Sequence, residues 1–63
     1  MKRTIKGLRN DLDLSQEEMA HKLGIPTVTY RRYENYQNKI PTNIIVAIAD
    51  MCGIEDIRNI KYE

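Results

Sequence analysis

Hydrophobic side chains recur at helical spacing near the start of the chain. Ile5, Leu8 and Leu12 follow one another at intervals of three and four residues, which places them on one face of a helix. Asp13 ends this pattern. The segment from about Thr4 to Asp11 therefore predicts a first helix that buries the apolar stripe.

The second helix has both of its ends marked in the sequence. The run Ser15-Gln16-Glu17-Glu18 is a capping box, in which each end residue can accept a hydrogen bond from the backbone N–H of the other. Gly24 suits the left-handed conformation that commonly ends helices. The sequence predicts a second helix that begins after Ser15 and continues through Leu23.

Two further helices are predicted after this glycine. Pro26 suits the first position of a third helix, on which Tyr30 and Tyr33 lie three residues apart and face inwards. This spacing favours core packing of the two tyrosines over exposed rings that stack on nucleic-acid bases. A fourth helix is predicted from Pro41-Thr42 to about Cys52, and Gly53 ends it.

The loop before the fourth helix and the tail after it carry weaker signals. Asn35 to Lys39 is a polar stretch and predicts a loop. In the tail, Ile54, Ile57 and Ile60 have helical spacing, but the last residues also alternate as in a strand. We favour a short helical turn around Asp56 to Asn59, followed by extended or mobile residues.

Length and composition limit the class of protein. With 63 residues, 41% hydrophobic and 30% charged, residues 1–63 are expected to fold as a single all-α domain. The chain has no apolar run of membrane-spanning length and only one cysteine, so we expect a soluble cytoplasmic protein without membrane contact or internal disulfide. One histidine, one serine and little interior for a pocket argue against an enzyme, and no cofactor is expected.

Charge is unevenly distributed along the sequence. Residues 1–39 hold eight basic and five acidic side chains, a net charge of +3, whereas residues 40–63 hold two basic and four acidic ones, a net charge of −2. A basic part followed by an acidic end is consistent with a face for a polyanion. The split becomes informative only because a motif lies in the basic part.

That motif is a helix-turn-helix over residues of about 15–35. Two closely crossing helices need a small residue at their contact, supplied by Ala20, and a turn residue that tolerates positive φ, supplied by Gly24. The segments Leu14 to Ile25 and Tyr30 to Asn35 resemble the Cro/phage-repressor (XRE-type) helix-turn-helix family. Ile5 to Arg9 is similar to the family's first helix, and Ile45 to Gly53 to its fourth.

The resemblance implies a fold and a function. The fold is a compact four- to five-helix bundle of the lambda-repressor-like type, whose third helix enters the major groove of DNA. The function is that of a sequence-specific double-stranded DNA-binding transcriptional regulator, expected here to be a repressor, which acts as a homodimer on a palindromic operator. The alternative is a protein-interaction module with the same fold, such as a small antitoxin or anti-repressor, which would have a protein partner instead.

The resemblance also assigns residues to roles. The resemblance assigns base reading to Thr27, Val28 and Arg32, and contact with the DNA backbone to Gln16, Arg31 and Asn35. The chemistry of the base-reading residues agrees, because arginine suits bidentate contact with guanine, and threonine and valine suit contact with a thymine methyl. Tyr36 and Lys39 in the following loop are additional candidates for backbone contact, with simple packing in the loop as the alternative for Tyr36. Arg9 and Glu34 correspond to an ion pair that fixes the first helix to the end of the third.

Three positions depart from the family's pattern, and one of them is Pro41, which comes one residue later than usual. Pro26 stands where a serine or threonine usually caps the recognition helix, so Thr27 is either a base reader or the cap itself. Tyr36 stands where a glycine is usual, so the turn after the third helix is expected to differ.

The fourth helix carries more apolar residues than one buried stripe requires. Beside the inward stripe, a second one is expected to lie outside the bundle and to form a homodimer face together with the tail; the alternative is that the tail folds over it. The predicted dimer face consists of Ile44, Ala47, Met51, Ile54 and Ile57.

Overall fold

The computed structural model describes residues 3–36 and 39–60, and within these ranges the fold is helical. The four α-helices are α1 (Ile5–Asp11), α2 (Gln16–Leu23), α3 (Thr27–Asn35) and α4 (Thr42–Cys52), and a 3₁₀ turn follows at Ile57–Asn59. The predicted all-α bundle is confirmed. The bounds of the helices agree closely with those that the sequence predicts, and the capping box at Ser15 and the glycines at 24 and 53 mark three of the ends locally.

The predicted capping box at the start of α2 is formed. The Ser15 hydroxyl accepts a hydrogen bond from the Glu18 N–H at 3.1 Å, and the Glu18 carboxylate accepts one from the Ser15 N–H at 2.9 Å. At the other end, Gly24 has φ of 71° and the Ile25 N–H donates to the Ala20 carbonyl. A residue with a β-carbon is disfavoured at this φ, so the glycine is what allows the sharp turn into α3.

The start of α3 settles the two roles left open for Thr27. Pro26 is the N-cap residue, with φ of −63° and ψ of 146°, and no side chain caps this end. Thr27 is the first helical residue, so the alternative in which it caps the helix is wrong. Its hydroxyl is consequently not committed to capping.

The hydrophobic core takes side chains from all four α-helices and from Ile40 and Ile60. Tyr30 is fully buried in it and Tyr33 packs against it, so the predicted inward orientation of both tyrosines is confirmed and base stacking by Tyr30 is excluded. The buried residues are Ile5, Leu8, Met19, Ala20, Tyr30, Ile40, Ile44, Ile45, Ile48, Ala49 and Ile60.

The end of the described chain returns to its beginning. The predicted helical turn is present as the 3₁₀ turn, which Asp56 caps by accepting from the Arg58 N–H at 2.9 Å. Ile60 then forms an isolated parallel bridge with Arg3, whose N–H donates to the Asn59 carbonyl at 2.7 Å. Ile60 is fully buried, so this residue of the predicted tail belongs to the hydrophobic core.

Two predictions about apolar stripes are wrong. Leu12, expected to face inwards, follows the last residue of α1 and is 37% exposed. Ile44, expected outside the bundle, is 7% exposed and belongs to the core. The spacing of residues within one helix does not indicate which other segments cover them, and Ile54 and Ile57 pack against the core, as the alternative for the tail predicts.

Among the residues that the structure describes, no helix combines the length and the apolarity needed to cross a membrane. The same residues contain no group of acidic, histidine and cysteine side chains arranged to hold a metal ion.

Candidate nucleic-acid interface

The outward face of α3 consists of four exposed residues. Val28, Arg31, Arg32 and Asn35 fall within about 100° of one another around the helix axis, given 3.6 residues per turn. Val28 and Asn35 lie at the centre of this face, and the two arginines lie at its edges. Thr27 is half-buried next to the Arg31 edge.

Val28 is unusual on such a surface, because it is apolar and 64% exposed. At this exposure its methyl groups contribute little to the core. Covering such a side chain with another apolar group, such as a thymine methyl in a major groove, lowers the free energy.

The charge of this outward face is positive. Arg31 and Arg32 are both exposed, whereas the one acidic residue of α3, Glu34, has a side chain that is 3% exposed. Helix α3 therefore presents its cations to solvent and keeps its carboxylate inside the protein. This arrangement suits an anionic partner.

Glu34 is paired with Arg9 of α1, as the family resemblance implies. The Arg9 Nε donates to Glu34 Oε2 at 2.7 Å and its Nη2 donates to Oε1 at 3.3 Å, while its Nη1 donates to the Leu14 carbonyl at 2.8 Å. The Arg9 side chain is 11% exposed. One guanidinium thus fixes α1, the segment before α2 and the end of α3 to one another.

The pair is ionised under ordinary conditions. Burial alone would raise the pKa of Glu34, but hydrogen bonds from Arg9 and Gln16 and the nearby Tyr30 hydroxyl outweigh it and lower this pKa below its ordinary 4.5. A lowered pKa in the folded state stabilises the fold above about pH 4.5, and this contribution is lost as the pH falls through the lowered value.

The Tyr30 hydroxyl is the polar group that this arrangement leaves least satisfied. It is buried beside Arg9 and Glu34, yet it has no hydrogen-bond partner of ordinary geometry within the described residues. Burial, and then the neighbouring carboxylate, raises the pKa of Tyr30 well above its usual value. A raised pKa favours the neutral phenol.

Gln16, the first residue of α2, extends the network to the protein surface. Its Nε2 donates to Glu34 Oε1 at 2.9 Å, and its Oε1 accepts from Arg31 Nε at 3.0 Å. Sequence reasoning placed both Gln16 and Arg31 at the DNA backbone but did not connect them. The connection depends on the crossing of α2 and α3, and no local pattern in the sequence signals it.

The remaining candidates lie past the end of α3. Asn35 is its last residue, and Tyr36 caps it with φ of −131°, donating its N–H to the Arg32 carbonyl at 2.8 Å. This φ is one that any residue adopts, which explains why the chain needs no glycine there. Tyr36 is 58% exposed and Lys39 is exposed; the rest of the predicted loop, residues 37–38, lies outside the described residues.

These observations define a helix-turn-helix protein whose second motif helix, α3, presents an exposed basic face. A comparison with family models agrees, since the model described as helix-turn-helix matches residues 5–57. The chain belongs to this family, the Cro/phage-repressor (XRE) type of helix-turn-helix, and is a DNA-binding transcriptional regulator of that type. Comparisons with curated proteins and with solved structures give no match.

Proposed function

We propose that this regulator binds specific sequences of duplex DNA and acts as a repressor. The outward face of α3 carries the proposal, because exposed arginines flank an exposed valine there. In the proposed complex, α3 lies in the major groove. Thr27, Val28 and Arg32 then read base edges, while Gln16, Arg31, Asn35, Tyr36 and Lys39 contact the backbone.

The proposed assignment of residues to base reading or to backbone contact follows from the chemistry of each side chain. The Arg32 guanidinium can donate two hydrogen bonds to the O6 and N7 of one guanine, whereas Val28 can only make apolar contact, for which a thymine methyl is the natural partner. Phosphate contacts fix the position of the protein but do not discriminate between sequences. We therefore expect a half-site that contains both a guanine and a thymine.

Selection of duplexes from a random DNA library tests this function. We expect the selected sequences to share a motif, and the protein to bind it at least about a thousandfold more tightly than random DNA at the same salt concentration. A library that shows no enrichment would contradict sequence-specific binding. If, in addition, another protein co-purified stoichiometrically and DNA affinity were absent, the alternative of a protein-interaction module would be favoured.

We further propose that the regulator is a homodimer on a palindromic site, with half-sites about 34 Å apart. Because Ile44 is buried, the proposed interface is centred on the half-buried Met51 and Ala47 instead. Met51 lines a surface groove with Leu12, Leu14 and Lys22, and Ile54 and Ile57 lie half-buried in the segment that follows. Apolar side chains grouped in this way on a surface are typical of interfaces.

A charge placed in this groove should separate the subunits. We expect Met51→Glu to be a folded monomer in analytical ultracentrifugation under conditions in which the natural protein is a dimer. Val46→Glu is the matched control, because Val46 is an exposed apolar residue of α4 on the side away from Met51, and this variant should remain dimeric. A folded Met51→Glu protein that still sediments as a dimer would refute this interface.

A further inference from the structure

A chain of three hydrogen-bonded contacts connects the interior of the protein to the outward face of α3. Arg9 donates to Glu34, Gln16 Nε2 donates to Glu34 Oε1 at 2.9 Å, and Arg31 Nε donates to Gln16 Oε1 at 3.0 Å. The first pair is almost wholly buried and Arg31 is exposed. A side chain at the surface is thus linked to the most buried ion pair in the described part of the chain.

The chemistry of the groups fixes the orientation of the Gln16 amide. An ionised carboxylate can only accept hydrogen bonds, so the amide nitrogen of Gln16 must face Glu34. The amide oxygen is then left facing outwards, where it can accept from a cation. The reversed orientation would place two oxygens together and direct an N–H group at the Arg31 guanidinium, and both contacts would be unfavourable.

The contact with Gln16 occupies only the Nε of Arg31. Within residues 3–36 and 39–60, the Nη groups of Arg31 make no hydrogen bond or ion pair, and they are the donors suited to a bidentate contact with phosphate. A long arginine side chain loses rotamer freedom when it binds, and holding it in place beforehand lowers that cost. The carboxylate behind Gln16 is already neutralised by Arg9, so it repels a phosphate less.

We propose that Gln16 is a positioning residue for Arg31, and that Glu34 fixes Gln16 in the orientation this requires. An uncharged side chain then determines whether one ionic contact with the DNA backbone is made. This proposal rests on the proposed DNA-binding function. It differs from the direct phosphate contact expected of Gln16, because here the glutamine acts through the arginine.

The salt dependence of DNA binding tests the proposal, because the slope of log K against log salt falls by about 0.9 for each phosphate that the protein no longer neutralises. We expect Arg31→Ala to reduce the slope by about this amount. Gln16→Ala should reduce it as well, towards the Arg31→Ala value, although no charge is removed. In the double variant the slope should equal that of Arg31→Ala alone, because Gln16 carries no charge of its own.

Two controls and a second variant make the change in slope specific to Gln16 acting through Arg31. Asn43→Ala removes an exposed residue with an equivalent amide from α4, and its slope should be unchanged. Arg31→Lys keeps the charge as a point charge without the Nε donor, so adding Gln16→Ala to it should leave the slope unchanged. Gln16→Met is a second variant that retains the length of the side chain, should the alanine variant fail to fold by circular dichroism.

The outcomes separate the two proposals. If the natural protein binds DNA and Gln16→Ala or Gln16→Met retains the natural slope, positioning by Gln16 is wrong. Effects of Gln16→Ala and Arg31→Ala that add in full would also overturn it, since the two residues would then act independently. If the natural protein shows no salt-dependent DNA binding, the proposed function itself fails.

Discussion

Replacement of Glu34 by alanine is expected to remove about 3–5 kcal/mol of folding stability, because it leaves the Arg9 guanidinium buried without a counter-charge. It also leaves the Gln16 amide nitrogen without its acceptor. A chain of 63 residues has a total stability of about 3–9 kcal/mol. Urea unfolding followed by circular dichroism should therefore show a midpoint far below that of the natural protein, and at the lower end of this range the variant is unfolded at 25 °C.

The exposed ion pair between Arg3 and Asp11 is the matched control. Its side chains are 46% and 61% exposed, so Asp11→Ala should cost at most about 1 kcal/mol. The double variant Arg9→Met, Glu34→Leu removes both buried charges and should be more stable than Glu34→Ala, although the Leu14 carbonyl loses its donor. If Glu34→Ala costs no more than Asp11→Ala, the buried pair does not hold the helices together as described.

Replacement of Arg32 by alanine is expected to leave the fold intact and to remove base discrimination. Arg32 is exposed and donates no side-chain hydrogen bond within the described residues, so its removal should not change stability appreciably. A bidentate contact with guanine is worth about 1–3 kcal/mol of discrimination, which corresponds to about 5- to 150-fold at one base pair. Competition between selected and singly altered duplexes should show this loss at a single position.

Lys39→Ala is the appropriate comparison for Arg32→Ala. It removes one exposed cation from a proposed backbone contact, so all sequences should be weakened similarly and the salt slope should fall by about 1. Arg32→Ala should instead weaken the selected sequence more than random DNA. An equal loss on both kinds of DNA would contradict the reading role of Arg32.

The helix boundaries could be predicted from sequence because their causes are local. The capping box at Ser15 and the glycines at 24 and 53 act within a few residues of the helix ends that they determine. The ion pair of Arg9 and Glu34 joins residues 25 positions apart, and only the resemblance to a family indicated it.

The errors concern residues whose surroundings depend on how distant segments meet. Leu12 continues the apolar spacing of α1, but the helix ends before it and its side chain is left partly exposed. Ile44 lies on the second stripe of α4 yet is buried, and Ile60 is buried through its bridge to Arg3. Periodicity within one helix carries no information about such contacts, because they arise from the packing of the whole chain.

The contact between Gln16 and Arg31 could not be predicted for the same reason. Each residue was assigned separately to the DNA backbone, and their hydrogen bond exists only because α2 and α3 cross with the two side chains adjacent. Val28, by contrast, is exposed, as its assignment to base reading requires, and that assignment came from the resemblance to a family.

In the proposed complex, the outward face of α3 is the surface that meets DNA. A titration of the isotope-labelled protein with a duplex obtained by selection, followed by NMR through backbone amides, the Val28 methyls and arginine Nε groups, tests this claim most directly. We expect the largest shift changes at Val28, Arg31, Arg32 and Asn35 and at the start of α2, with little change on the exposed side of α4. Shift changes concentrated on α4, with the signals of Val28 and Arg32 unmoved at saturation, would contradict it.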